Sequence, residues 1–243
     1  MAWSDDGQQL AIGGRDKMMR IFDARSGQCA ASVEAHSSAK GFALCFVPRY
    51  DEALGQATMS AEPLCSVGFG RGQRELALWD QRKIDTPLLR STIDHQSGWL
   101  QPFYDVGTGV LFLGGKGRDI YYYEVNASQS MAHLINKHTS ANAFSALAML
   151  PKRVVDFKAC ELARFLQVSA NNIETLSIYV PRKNKDVFHD DVYQRVPSGK
   201  PSLTSTEWAK GENRQRDYVS LRPSGMKVML ILTLIVWNFM NTL

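Results

Sequence analysis

An all-β chain assembled from repeated four-stranded blades is what this 243-residue sequence predicts, and three observations carry that expectation. A turn rich in glycine (Gly68, Gly70, Gly72) leads into the alternating run Arg74-Glu75-Leu76-Ala77-Leu78, which closes on Trp79-Asp80. The same design recurs twice: Gly14-Arg15-Asp16 precedes Met19-Arg20-Ile21-Phe22-Asp23, and Gly115-Lys116-Gly117-Arg118-Asp119 precedes Ile120-Tyr121-Tyr122-Tyr123-Glu124. The aromatic-acid pairs therefore align, with 57 residues from Phe22 to Trp79 and 44 from Trp79 to Tyr123. A repeat of roughly 40–45 residues closing on Trp-Asp marks a WD40-type β-propeller, here a partial one of about four blades with an irregular C-terminal extension.

Taken in order, Ala2-Trp3-Ser4 ends a strand, Asp5-Asp6-Gly7 turns, and Leu10-Ala11-Ile12-Gly13 forms the next strand. Residues 18–23 run back and 29–33 form the outer strand, with Asp and Gly in the turns because they tolerate positive φ and bond locally to the backbone. The chain enters in mid-blade, so ring closure by pairing its first and last strands is not expected from anything before Met1. Blade two starts at 42–47. The polar, turn-rich stretch 48–63 is an insertion that lengthens the first spacing, and a longer surface loop costs little entropy. Residues 64–68 and 75–80 follow, and Pro87-Leu88-Leu89 opens the outer strand. Blade three comprises 99–104, a turn at 105–109, 110–113 and 120–125, with Leu134-Ile135 as an edge strand. Blade four is less regular: the apolar run 144–150, a break at Pro151-Lys152-Arg153, then strands at 162–168 and 173–180.

The blades thus span 1–180, and an extension follows over 181–226. In it, Thr204-Ser205-Thr206-Glu207-Trp208 has the pattern of a capping box opening a short helix, and 211–225 reads as a polar, extended arm. A tail, 227–243, is set apart by composition. Its apolar run 228–237 is short of the roughly 20 residues a bilayer span needs. It reads as a marginal anchor, a buried strand or a non-native terminus, and the sharp change after Lys227 favours the last.

Composition narrows the function classes. The net charge of +4 permits an acidic partner without the strong basic stripe that nucleic-acid binding brings. Cys29, Cys45, Cys65 and Cys160 lack CxxC spacing and read as buried free thiols of a reducing compartment. The first residues lack a signal-peptide pattern, which makes the cytoplasm the default and the sequon Asn126-Ala127-Ser128 a chance match. Gly114-Gly115-Lys116-Gly117 lacks the Lys-Ser/Thr ending and the helix of a phosphate loop, so it reads as a hairpin turn. His189-Asp190-Asp191 has no His or Cys at ligand spacing, the five histidines are scattered, and no Gly-x-Ser-x-Gly motif occurs. The expectation is a protein that is not an enzyme, with no cofactor, no metal and no catalytic residues.

Four stretches resemble the coronin family of WD-repeat proteins. They are 74–80; Pro102-Phe103-Tyr104-Asp105 with Gly115-Lys116-Gly117 and Tyr122-Tyr123-Glu124; Met149-Leu150-Pro151-Lys152-Arg153 with Cys160-Glu161-Leu162-Ala163-Arg164-Phe165; and Val180-Pro181-Arg182-Lys183 with Phe188-His189-Asp190-Asp191-Val192-Tyr193, then Glu207-Trp208. The resemblance covers roughly 1–225. It implies a seven-bladed propeller that binds actin filaments, organises the cytoskeleton, and carries its C-terminal extension along its underside. Ser220-Leu221-Arg222-Pro223-Ser224-Gly225-Met226 resembles the long tandem-propeller members, which implies vesicle-coat or other cytoskeletal partners as well. Set against the family pattern, the chain lacks the N-terminal segment with its filament-binding basic residue and the C-terminal coiled coil or acidic tail.

Candidate residues divide by role. Asp16, Phe22, Asp23, Trp79, Asp80, Tyr123 and Glu124 are repeat residues with structural work: strand-closing aromatics pack between blades and turn acids bond backbone amides. Arg182, Lys183 and Lys185, with Lys152 and Arg153, are the actin-binding candidates, because clustered cations steer and orient contact with an acidic filament. The competing reading is a solvated loop. A membrane partner, for a trafficking adaptor, depends on the apolar tail alone.

Overall fold

The computed structural model describes residues 1–48, 50–51, 56–57, 62–126 and 129–228. Blade one is a four-stranded antiparallel sheet, β1 (Ala2–Trp3), β2 (Gln9–Gly13), β3 (Met18–Asp23) and β4 (Cys29–Glu34), in sequential order. Blade two is built from β5 (Ala43–Phe46), β8 (Leu64–Phe69), β9 (Arg74–Trp79) and β10 (Leu89–Asp94). The insertion between β5 and β8 carries a small hairpin, β6 (Tyr50–Asp51) with β7 (Gln56–Ala57). Blade three comprises β11 (Leu100–Asp105), β12 (Val110–Gly115), β13 (Gly117–Asn126) and β14 (Met131–Phe144); blade four has three strands, β15 (Ala146–Met149), β16 (Glu161–Val168) and β17 (Ile173–Tyr179).

The alternation that marked these strands is the packing itself. On β9, Ala77 and Trp79 join Leu64 against Met19 and Ile21 of blade one, while Leu76 and Leu78 join Cys65 and Val67 against Leu111, Leu113, Tyr121 and Tyr123 of blade three. Phe112, Ile120 and Phe144 of blade three then meet Ala163 and Phe165 of blade four. Trp79 and Tyr123 occupy the same place in successive blades, each turned toward the blade before it. A one-residue slip would turn both to the wrong face.

Three details differ from the expectations. The apolar run 144–150 is divided between two strands, because Phe144 ends β14 and the chain turns at Ser145. The edge strand expected at Leu134-Ile135 is fourteen residues long, paired to β13 from Asn126↔Met131 to Gly117↔Phe144. Cys29 is exposed, since β4 is the outer strand of blade one; Cys65 and Cys160 are buried and Cys45 is half-buried.

The extension runs back along one end of the blades as a strap. Phe188, Val192 and Tyr193 pack with Val155 beneath blade four. The strand β18 (Val196–Pro197) pairs with β19 (Tyr218–Val219), and between them lies the helix α1 (Ser205–Ala209) with the capping box of Thr204 and Glu207. The strap then reaches blade one, where Arg216 and Tyr218 bond the Asp5 carboxylate at 2.6 and 3.1 Å. Arg25 bonds the carbonyl of Glu212 at 2.6 Å and lies 5.2 Å over the Trp208 ring. Val228 bridges to Phe188; the rest of the apolar run expected as a tail, and Ala127 and Ser128 of the sequon, lie outside the described residues.

Candidate interaction surfaces

The blade framework is locked by a buried polar relay. Trp79 donates its indole N–H to Ser66 Oγ at 2.9 Å, Ser66 meets His36 Nε2 at 3.0 Å, and His36 Nδ1 meets Glu75 Oε1 at 2.7 Å. Arg90 closes the chain on Glu75 and also donates to the Ala35 carbonyl at 2.8 Å. Burial works against the Glu75 charge, but the His36 and Arg90 contacts outweigh it and hold the carboxyl below the usual range. The relay ties the link between blades one and two to three strands of blade two. Gly68 makes room for it, since a Cβ there would come within 2.7 Å of both His36 and Phe42.

A second network, Arg74 with Asp94 and Tyr121, joins blade two to blade three. The sequence singled out Trp79 but not His36, Ser66, Glu75 or Arg90, because the relay partners stand 13 to 39 residues apart and show no periodicity. The remaining repeat residues sit in the turns or on the blade faces. Asp16 accepts from the Met18 amide and pairs with Arg20, Asp23 accepts from the Arg25 and Ser26 amides, and Asp80 caps a 3₁₀ turn at Arg82. Phe22 is half-buried on β3, and Glu124 is exposed.

The five basic candidates are placed as follows. Lys152 lies in the 3₁₀ turn after β15, and its ammonium bonds Asp105 Oδ2 at 2.5 Å and the Leu162 carbonyl at 2.8 Å. Its side chain is only 13% exposed, so it stitches blade three to blade four. Arg153 donates to the Ser198 carbonyl at 3.2 Å and so holds the strap. Arg182 pairs with Asp191 inside the extension. Lys183 and Lys185 are exposed on either side of Asn184, whose carbonyl meets His189 Nε2 at 2.7 Å. Arg182, Lys183 and Lys185 thus sit together beside the buried Phe188, with the two lysines facing solvent; Lys152 and Arg153 serve internal contacts. Gly114 to Gly117 lies at the β12–β13 hairpin, whose last pair is Gly114↔Ile120. His189 is buried, and among the described residues no group of three or more His, Cys, Asp or Glu stands where it would hold a metal ion. Such an arrangement offers surface recognition by charge and shape.

Comparison with known proteins places this geometry. A family model described as a type of WD40 repeat matches residues 173–216, the stretch from β17 into the strap. Villidin of Dictyostelium discoideum is 36% identical over 233 residues, 93% of this chain and 13% of that protein. Coronin-A of the same organism is 35% identical over 221 residues, 90% of this chain and 46% of that protein. The WD40 domain of Toxoplasma gondii coronin superposes with a TM-score of 0.82 at 33% identity, covering 91% of this chain and 55% of that one. The chain spans less than half the length of the curated relatives it matches.

Proposed function

The chain belongs to the coronin family of WD-repeat proteins, and on that premise we propose that it is a non-enzymatic scaffold that binds actin filaments in the cytoplasm and supports their organisation. The likeness of both blades and strap to a coronin's WD40 domain, over 91% of this chain, is the observation that carries the reading. The mechanism is recognition by a rigid surface. The interblade cores and the buried relays fix the turns, and the exposed Lys183 and Lys185, with Arg182 beside them, present positive charge to the acidic filament. Charge of this kind raises the encounter rate and sets orientation more than it adds raw affinity, and it weakens with salt. The membrane-adaptor alternative has no support of its own among the described residues, where no helix is long and apolar enough to cross a bilayer.

Co-sedimentation with actin filaments tests the reading. The wild-type chain is expected in the pellet, and Lys183→Glu with Lys185→Glu is expected to weaken binding about fivefold or more at low salt. Adding Arg182→Glu also breaks the Asp191 pair, so the two-lysine variant is the cleaner measure. A wild-type chain left in the supernatant would refute filament binding; an unchanged double variant would refute the role of this segment.

A further inference from the structure

The end of the blades opposite the strap carries a set of cations that, among the described residues, no carboxylate pairs with. The turns joining the second and third strands of each blade all lie there: 14–17, 70–73, residue 116 and 169–172. In the first three, one exposed cation occupies the tip: Arg15, Arg71 and Lys116. Lys40, in the link from blade one to blade two, lies 4.6 Å over the Phe69 ring, and Arg118 follows Lys116. The carboxylates at this end of the first three blades are taken. Asp16 pairs with Arg20, Glu34 with Lys17, Glu75 with Arg90, Asp94 with Arg74, and Asp119 with Lys137. Among the described residues, no carboxylate pairs with Arg15, Lys40, Arg71, Lys116 or Arg118. The turn at 169–172 has no cation and is followed by Glu174, so the patch ends at blade three.

Trp99 sits within this patch. Its carbonyl accepts the Lys116 amide at 3.0 Å, and its ring lies 3.3 Å from where a Cβ on Gly41 would stand. The ring therefore lies at the seam between Lys40 and Lys116, and the residue is 40% exposed. An exposed tryptophan flanked by lysines is the composition of an interface hot spot.

We propose that this end of the propeller is a docking surface for an acidic protein surface, with Trp99 as apolar anchor and Arg15, Lys40, Arg71, Lys116 and Arg118 as its charged rim. Sheets pack about 10 Å apart, so the three turns present cations over roughly 20 Å, a span suited to an extended surface. The interspersed paired carboxylates and the net charge of +4 favour a protein over a nucleic acid. Identifying that partner as the filament rests on the function proposed above; the site is separate from Lys183 and Lys185, which lie at the strap end.

The test uses the full chain with two probes, actin filaments in co-sedimentation and labelled poly-L-glutamate in anisotropy. The variants are Arg15→Glu/Arg71→Glu/Lys116→Glu, Trp99→Ala, and Lys183→Glu/Lys185→Glu as a charge control. The triple variant is expected to lose at least about tenfold on both probes, and Trp99→Ala severalfold on filaments alone. Unchanged filament binding by the triple variant overturns the surface while leaving the filament reading intact. A wild-type chain that ignores filaments yet binds poly-L-glutamate through the three turns keeps the surface and overturns the filament reading. Equal losses on poly-L-glutamate from the charge control overturn the surface as a specific site. Binding of an oligonucleotide through these residues, with neither probe bound, overturns the protein partner.

Discussion

Two buried carboxylates show what a residue's neighbours decide. Glu75 is 5% exposed and Glu62 is 4% exposed, yet their carboxyls move in opposite directions. Glu75 keeps its charge because His36 and Arg90 meet it. Among the described residues no salt bridge reaches Glu62. Burial pushes its carboxyl up to about 7, the nearby charges of Asp5 and Asp6 add to that, and the Asp5 amide, at 3.2 Å from each oxygen, and Arg216 only partly offset it. With a folded pKa above the ordinary 4.5, the folded state holds the extra proton, so Glu62 contributes stability below about pH 4.5 that is lost as pH rises through 7. The shift corresponds to at most about 3 kcal/mol. Glu62→Gln keeps an acceptor for the Asp5 amide and cannot titrate. Urea unfolding at pH 5, 6 and 7.5 is therefore expected to show the variant gaining on the wild type by about 1–3 kcal/mol across that range. A constant difference between the two would show that the Glu62 proton is not linked to folding.

At the scale of elements, Lys152 shows why sequence and structure read the same residue differently. Beside Arg153 it looks like surface charge, but its partner Asp105 stands 47 residues earlier and only the packing of blade four on blade three joins them. Removing one member of a largely desolvated pair leaves the other charge uncompensated. Lys152→Met is therefore expected to cost about 3 kcal/mol in urea unfolding, and Asp105→Leu added to it to recover much of that loss. A double variant no more stable than Lys152→Met would place the defect in the lost packing of the lysine stem. The features legible in sequence were those written locally: the glycine turns, the alternation of β9 and β13, and the Thr204–Glu207 box that opens α1. Strand β14 was legible only in part, because an outer strand wetted on both faces has no reason to alternate. The turn cations Arg15, Arg71 and Lys116 were visible as turn residues. Their lack of partners was not, because it depends on where Arg20, Arg74, Arg90 and Lys137 direct their charge.

For the whole molecule, the strap sets how the blades are held together. Within each blade the ladders join neighbours in sequence, and such contacts form at little cost in loop closure. Blade one, by contrast, is joined to the far end of the chain. Arg25 reaches Gly211, Glu212 and Asn213, and Asp5 reaches Arg216 and Tyr218, across 186 to 213 residues. The packed core of blade one lies on its face toward blade two, through Ala11, Met19 and Ile21, while Trp3 is 54% exposed. Among the described residues, blade one shares one interblade core and is joined by the strap, whereas blade three is packed on both faces. A surface ion pair such as Arg216–Asp5 contributes about 0–1 kcal/mol, and the Arg25 bonds to the Gly211 and Glu212 carbonyls and Asn213 add about as much, so Arg25→Ala with Arg216→Ala is expected to lower global stability by no more than about 1–2 kcal/mol. The local effect is expected to be larger: faster amide exchange across β2, β3 and β4, with β12 and β13 unchanged. Uniform acceleration over all four blades would mean that the strap supports the fold as a single cooperative unit. No change anywhere would mean that the core shared with blade two is sufficient to hold blade one in place.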